Sequence, residues 1–372
     1  MNHSSTVRAM VRPFFVCVLA VMLLSPNAGS VERVLAQTPG IVLAAVPWGG
    51  SESKPHGVYS GGQLVLQASA SLGGNGDPVT LSSGTWDPGD GTGPKPISVS
   101  NSRALEFTHT YTGALNQPYT ATIRVVDPSG NVYTDTFRVQ IQLDTPDLRA
   151  NMAIDRALWF LHKQMQRTGT MGFWIESWSS QFNEAATAAA VQAMEVNGHR
   201  PNGDPLADPY VNDVARGLGY LFDRLRVLTL NPQGINNPDS DGDNRGLGSG
   251  RTTGGDHETY LGGQVIDAIV ASGTPNAIAQ HGDVTWVRGK TYKDIVQDML
   301  DAYSWGAMDT VAPAGGVITP GAFYYNFINN GLQFGDADSS ASHWWAIGVL
   351  AAQTWGLDAP GWLKLQNKNS AV

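Results

Sequence analysis

The stretch "LDTPDLRAN", Leu143 to Asn151, divides the chain into halves with different periodicities, and its reading decides the fold. Before it, apolar and polar residues alternate. "GQLVLQASAS" (62–71) sets Leu64, Leu66 and Ala68 against polar neighbours. "YTATIRVVD" (119–127) and "YTDTFRVQIQL" (133–143) continue with Ala121, Ile123 and Val125, then Phe137, Val139 and Ile141. Period two over short runs, broken by "GGNGDP", "DPGDGTGP" and "DPSGN", predicts a small antiparallel β-sandwich over 40–143. After the stretch the period becomes 3.6. "DLRANMAIDRALWFLHKQMQ" puts Ile154, Leu158, Leu161 and Met165 on one helical stripe. Further helices are expected in "NEAATAAAVQAMEVNG", in "DPYVNDVARGLGYLFDRLRVL" with Asp208 as cap and Pro209 in its first turn, in "HETYLGGQVIDAIVASG", in "KTYKDIVQDMLDAYSW", and from Ser339 to Trp355. A last one begins at "PGWLKLQNKN". The expected division is a leader over 1–36, a β domain over 40–143, a linker over 144–151 and a helical domain over 152–372.

Both halves carry motifs with a family likeness. "WDPGDGT" (86–92), "FTHTYT" (107–112) and "YTATIRVVDPSGN" (119–131) together resemble the PKD domain, an extracellular immunoglobulin-like spacer or interaction module, with Pro88 a departure from the usual motif. Trp86 would plug the core between sheets, and Asp87 and Asp90 would accept backbone N–H groups in a Gly-rich turn. In the helical half, "AVQAMEVNGHRP", "VIDAIVASGTP" and "IGVLAAQTWGLDAP" end alike, at Gly198, Gly273 and Gly356, each soon followed by proline. That spacing suits helix pairs in a repeat. "RALWFLHKQMQRTGTMGFW" (156–174) is close to the QW motif of squalene cyclases, with one extra residue before the glutamine. The resemblance is to the α/α toroid of the terpenoid cyclase and prenyltransferase superfamily, and it implies that Gln166 and Trp174 brace successive helices. The fold class expected is therefore a PKD sandwich followed by an all-α toroid. The number of helices leaves the ring open or incomplete.

Composition narrows the function. Arg8 and Arg12 precede an apolar run from Phe14 to Leu24 and then "SPNAGS", the pattern of an export signal. Cleavage near Ser30 or Ala36 leaves about 340 residues, enough for two cores, with no membrane span. Cys17, the only cysteine, lies inside that run, so disulfides and thiolate metal sites are excluded from the mature chain. A prenyltransferase-type zinc site is excluded for the same reason. The net charge of −9 and the lack of basic clusters exclude a nucleic-acid surface.

Candidate chemistry sits in three places. "FGDADSSASHWW" carries Asp336 and Asp338 where a class II cyclase has DxDD; Asp338 would be the general acid, but Ser339 stands at the last position. The plainer reading is that Asp338 or Ser339 caps the helix that follows. "GGDHETY" offers Asp256, His257 and Glu258 at a helix start, with Asp256 as a cap and the other two near the concave end of the expected toroid. "NPDSDGDNRG" presents Asp239, Asp241 and Asp243 as calcium ligands, although Gly248 replaces the glutamate of an EF-hand loop. The aromatic residues of this half, among them Trp174, Trp305, Tyr324, Tyr325, Phe327, Trp344 and Trp345, could be core braces or could stack on sugar rings. The expected function is an exported protein whose helical half binds or scaffolds an extracellular or periplasmic partner, glycan or protein. The alternative is a toroid enzyme of cyclase or polysaccharide-lyase type.

Overall fold

The computed structural model describes residues 40–177, 180–231, 236–250, 257–308, 320–327 and 338–370. The expected leader, together with Asp256 and Asp336, lies outside the described residues. Alternation in the first half produces two sheets. The first is antiparallel in the order β1 (Ile41–Ala45), β3 (Gln63–Leu72), β6 (Leu105–Thr110), with Leu66 opposite Phe107. The second runs β2 (His56–Tyr59), β8 (Val132–Gln142), β7 (Pro118–Val126), β4 (Ser83–Asp87), β5 (Lys95–Pro96). The inward positions of these strands, including Leu64, Leu66, Ile123, Phe137 and Val139, form one core around Trp86, which is fully buried. Trp86 donates its indole N–H to the Leu105 carbonyl at 3.3 Å and meets Phe137 edge-on. Removing a side chain of this size from water contributes roughly 2–3 kcal/mol.

Two features correct the expectation of a self-contained antiparallel PKD sandwich. Strand β2 pairs with β8 in parallel, and Leu148 and Met152 of the first helix belong to the same core as the sheets. That helix, α1 (Pro146–Gln164), starts inside the stretch read as a linker, capped by Thr145 Oγ1 accepting from the Leu148 N–H at 3.1 Å. Its buried face is Leu148, Met152, Asp155, Leu158, Trp159 and His162, and Ile154 is exposed. The face is turned from the stripe read in the sequence because the helix packs on sheets at one end and on helices at the other.

The second half is likewise not all-α. Beyond α1 come a short hairpin of β9 (Gln166–Thr168) and β10 (Met171–Phe173), then α2 (Asn183–Val196) and α3 (Pro209–Asp223). A second hairpin, β11 (Leu225–Thr229) with β12 (Arg245–Ser249), precedes α4 (Glu258–Ala271), α5 (Tyr292–Gly306), α6 (Ser339–Gln353) and α7 (Gly361–Ser370). The fold class is mixed α and β, and the all-α toroid is overturned. Gln166 is exposed in β9, opposite Phe173, and its amide reaches only the Gln164 carbonyl, so it braces no helices. Trp174 is buried and donates to the Leu161 carbonyl at 2.8 Å.

Helix α4 packs against both α2 and α6, and β12 lies on α5. The α4–α6 contact depends on glycine: a Cβ on Gly263 would stand 2.0 Å from the Trp344 carbonyl oxygen. The described residues form one compact unit. Inside it, Arg103 donates to the His162 carbonyl at 3.1 Å and to Asp213 at 3.3 Å, and His162 Nδ1 also meets Asp213. None of the described helices is long and apolar enough to cross a membrane.

Candidate functional site

The N-terminus of α4 opens into a cleft of about 420 Å³ lined by Glu176, Phe182, Ala185, His257, Tyr260, Leu261, Gln264 and Tyr325. The helical repeat accounts for part of this wall. His257, Tyr260, Leu261 and Gln264 are three or four residues apart and share one face. Phe182 comes from the turn before α2, and Tyr325 from the segment 320–327. Ring centroids lie 5.3 Å apart for Phe182 and His257, 4.9 Å for His257 and Tyr325, and 5.4 Å for Tyr260 and Tyr325.

Backbone contacts hold that wall in place. His257 has φ of 55°, in the left-handed region, at a cost of roughly 1–3 kcal/mol for a residue other than glycine. Its N–H donates to Asn326 Oδ1 at 3.1 Å, while its ring Nδ1 is buried with no hydrogen-bond partner among the described residues. Thr259 donates its backbone N–H to the Tyr325 carbonyl at 3.1 Å, and its hydroxyl to the same oxygen at 2.7 Å. Glu258 points away from the cleft. It is fully buried, ion-paired with Arg226 of β11, and accepts the Phe327 N–H at 2.8 Å.

Asp338 sits at the rim as the N-cap of α6, accepting from the N–H groups of Ser340 at 2.8 Å and Ala341 at 3.1 Å. The Tyr260 hydroxyl donates to the same oxygen at 3.2 Å. Partial burial works to raise the Asp338 pKa, but the bonds from Ser340, Ala341 and Tyr325 outweigh it and hold the carboxyl below its ordinary value. The Tyr325 phenol is pushed up to about 12 by its bond to Asp338 and that charge. A group held ionised is a poor proton donor, so the geometry disfavours Asp338 as a general acid.

The acidic loop before β12 brings Asp239, Asp241 and Asp243 together, with one carboxylate oxygen of each within 4.8 Å of the others. Asp239 accepts from the N–H of Gly242 at 2.9 Å and of Asn244 at 3.0 Å. The loop also reaches α5, where Ser240 donates its N–H to Asp301 at 3.0 Å. On that helix Asp298 is pushed up to about 8 by burial and by the charges of Asp243, Asp241 and Asp301. Burial likewise raises Asp301 to about 6, against bonds from Ser240 and Gln297. The β-half carboxylates are turn elements. Asp87 accepts the Gly89 N–H at 2.9 Å, and Asp90 accepts the Thr92 N–H at 3.0 Å and meets His109 at 2.7 Å. Desolvation opposes these bonds to Asp90, yet they bring it down to about 2.

Sequence reasoning missed Glu176, Phe182, Tyr260 and Gln264 in the cleft, and Asp298 and Asp301 on α5. The helical spacing of His257, Tyr260 and Gln264 was a signal for the first group. The i,i+3 spacing of the two aspartates was one for the second.

No family model matches the chain, and no curated protein matches it. Among solved structures, a β-1,2-glucanase from Parabacteroides distasonis aligns with a TM-score of 0.30 and 10% identity, over 63% of this chain and 32% of that one. A likeness that loose carries neither fold nor activity across. With no family model behind them, and with strands running through the helical half, the PKD and the terpenoid cyclase/prenyltransferase resemblances are both set aside. Their short motifs reflect local turn and helix-end chemistry that many folds share.

Proposed function

We propose that this is an exported protein that binds a carbohydrate in the cleft at the start of α4. The observation that carries the reading is the wall of rings, Phe182, His257, Tyr260 and Tyr325, around a space of about 420 Å³ with Glu176 and Gln264 among its polar groups. Ring faces receive the C–H faces of sugars, while carboxylate and amide groups accept and donate to hydroxyls. The charged leader and the apolar run from Phe14 to Leu24 support export. Binding is favoured over turnover because glycoside hydrolysis uses two carboxyl groups across the bond, and Glu176 is the one carboxylate among the described residues lining the cleft. Glu258 and Asp338 are already committed, to Arg226 and to a helix cap.

Calorimetric titration with linear gluco-, xylo-, manno- and chito-oligosaccharides tests this. At least one series is expected to bind. Tyr260→Ala and Tyr325→Ala should each weaken it about 5- to 10-fold, the loss of roughly 1 kcal/mol per stacked ring. If no series binds, or both variants bind like the wild type, the reading is wrong.

A further inference from the structure

We infer that a second cavity, set between helix α1, the C-terminal end of α2 and the segment joining β1 to β2, binds a primary alkylammonium group. The inference does not depend on what the cleft at α4 binds, and the two share no lining residue. The cavity measures about 370 Å³, a usual size for a small-molecule site. Asp155 of α1 and His199, just beyond α2, line it, and both side chains are more than nine-tenths buried. Both present acceptors. His199 Nδ1 pairs with Asp208 at 2.7 Å, which leaves Nε2 of the neutral ring as an acceptor with no hydrogen bond among the described residues. Asp155 Oδ2 accepts from Gln67 Nε2 at 3.2 Å, but Oδ1 receives no hydrogen bond among the described residues. His56 Nδ1 stands 3.7 Å from that oxygen, too far for a hydrogen bond. It too is an acceptor, because burial keeps the ring neutral and Nε2 donates to the Val46 carbonyl at 3.0 Å. His56 Nδ1 and Gln67 Oε1 are both buried with no hydrogen-bond partner among the described residues, whereas buried polar atoms are almost always partnered.

A floor of acceptors selects a donor, and a carboxylate within it selects a cation. A primary ammonium brings three N–H donors and one positive charge. Two further features favour that charge. The last residues of α2 end at the cavity, where Val196 and Asn197 line it, and a helix C-terminus carries partial negative charge. Trp48 lines it as well, and an indole face attracts an ammonium. Ile154, Leu158 and Val196 form an apolar wall along which a methylene stem can lie. No three of the described His, Asp or Glu side chains stand close enough here to share a metal ion. Burial pushes the Asp155 carboxyl up to about 7, against the Gln67 bond and the charge of Arg156, and an ammonium beside it offsets that penalty. Lys54 also lines the cavity, but it is exposed and forms no ion pair with Asp155 among the described residues. The ligand chemistry is that of a diamine or of a lysine side chain.

The test uses the full-length protein at pH 8, where Asp155 is largely ionised. Calorimetry compares three chains of equal length and different charge: cadaverine, pentanediol and glutarate. Nα-acetyl-lysine methylamide is the fourth probe. Cadaverine is expected to bind, one per chain, with the diol at least about 10-fold weaker and glutarate not binding. Binding of the lysine derivative as well as cadaverine would mark a protein side chain as the source, and binding of cadaverine alone a free amine. Either supports the inference. Asp155→Asn should weaken cadaverine at least about 10-fold. Val196→Arg, at a rim position that is exposed, should weaken it too with Tm unchanged, so the test stands even where the Asp155 variant is unstable. The inference is overturned if neither amine binds, or if the diol binds as tightly as cadaverine. It is equally overturned if glutarate binds in their place, or if folded Asp155→Asn binds like wild type.

Discussion

Replacing Gly263 by alanine separates two physical expectations of opposite sign. Helix propensity alone favours alanine by about 1 kcal/mol in a helix interior. The structure says otherwise. The added Cβ would lie 2.0 Å from the Trp344 carbonyl oxygen and 2.5 Å from its carbon, against ordinary contact at 3.4 Å or more. The obstacle is backbone of α6, not the end of a flexible side chain, so the helices must separate by about 1 Å. On the far side, Gly348 is closely placed too, its own added Cβ 3.1 Å from Gly263 Cα. Overpacking of this kind costs typically 1–3 kcal/mol, and losing contacts along the α4–α6 seam places Gly263→Ala at the upper end. Net of propensity, a loss of about 2 kcal/mol is expected, roughly 3 °C in Tm for a unit of this size. Gly361→Ala is the control, since nothing lies within 4 Å of its added Cβ and its φ is not positive. Thermal and urea unfolding of both variants decide the matter. A Gly263→Ala protein as stable as Gly361→Ala would show that the α4–α6 packing is not as described.

Glu195 is fully buried on α2, with no hydrogen bond to either carboxylate oxygen among the described residues, and burial raises it to about 9 against the opposing charge of Arg200. The folded protein therefore keeps a proton that the unfolded chain gives up near pH 4.5, so this contribution is whole below that pH and is lost as pH rises towards 9. Urea unfolding at pH 5, 7 and 9 should show wild type declining relative to Glu195→Gln by up to about 1.4 kcal/mol per pH unit, and parallel profiles would refute it. Arg226→Met leaves the fully buried Glu258 charge unpaired and is expected to lose about 3–5 kcal/mol, with Arg226→Met/Glu258→Gln recovering much of it. A single variant within 1 kcal/mol of wild type in urea would contradict that.

The elements that sequence marked best were those with strong local chemistry. Asp208 with its following proline starts a helix, and Gly198, Gly273 and Gly356 follow helix ends with φ of 98°, 68° and 73°, whereas the same signal at Thr145 and Pro146 lay inside the stretch read as a linker. Such signals define helix ends but do not say how helices are arranged, and neither the repeated ends nor the short match to the QW motif specifies a ring. The short strands left too little pattern. Leu225 to Thr229 follows Asp223 without a break in apolar spacing, so the α3 helix was extended through what is strand β11. Three residues, as in β9 and β10, cannot show a period of two. Their pairing is set by the Gly169 turn and by packing on α3.

The site was less legible than the fold because a sequence shows where a carboxylate is and not what faces it. Glu258 and Asp338 lie in similar settings at helix starts. One meets Arg226 from 32 residues upstream, and the other meets only N–H groups of its own helix and nearby hydroxyls. Asp298 sits in an amphipathic helix where an acidic residue reads as solvated surface, yet it is buried, and burial with the charges of Asp243, Asp241 and Asp301 raises its pKa. The fate of Glu258 follows from a long-range contact and that of Asp338 mainly from its own helix, and the free energies of the three run in different directions. Pairing neutralises Glu258, capping stabilises ionised Asp338, and crowding penalises ionised Asp298. The unfavourable case is the informative one. A fold that keeps a carboxylate where its own charges oppose it gives up stability that a proton or an isosteric amide at that position recovers.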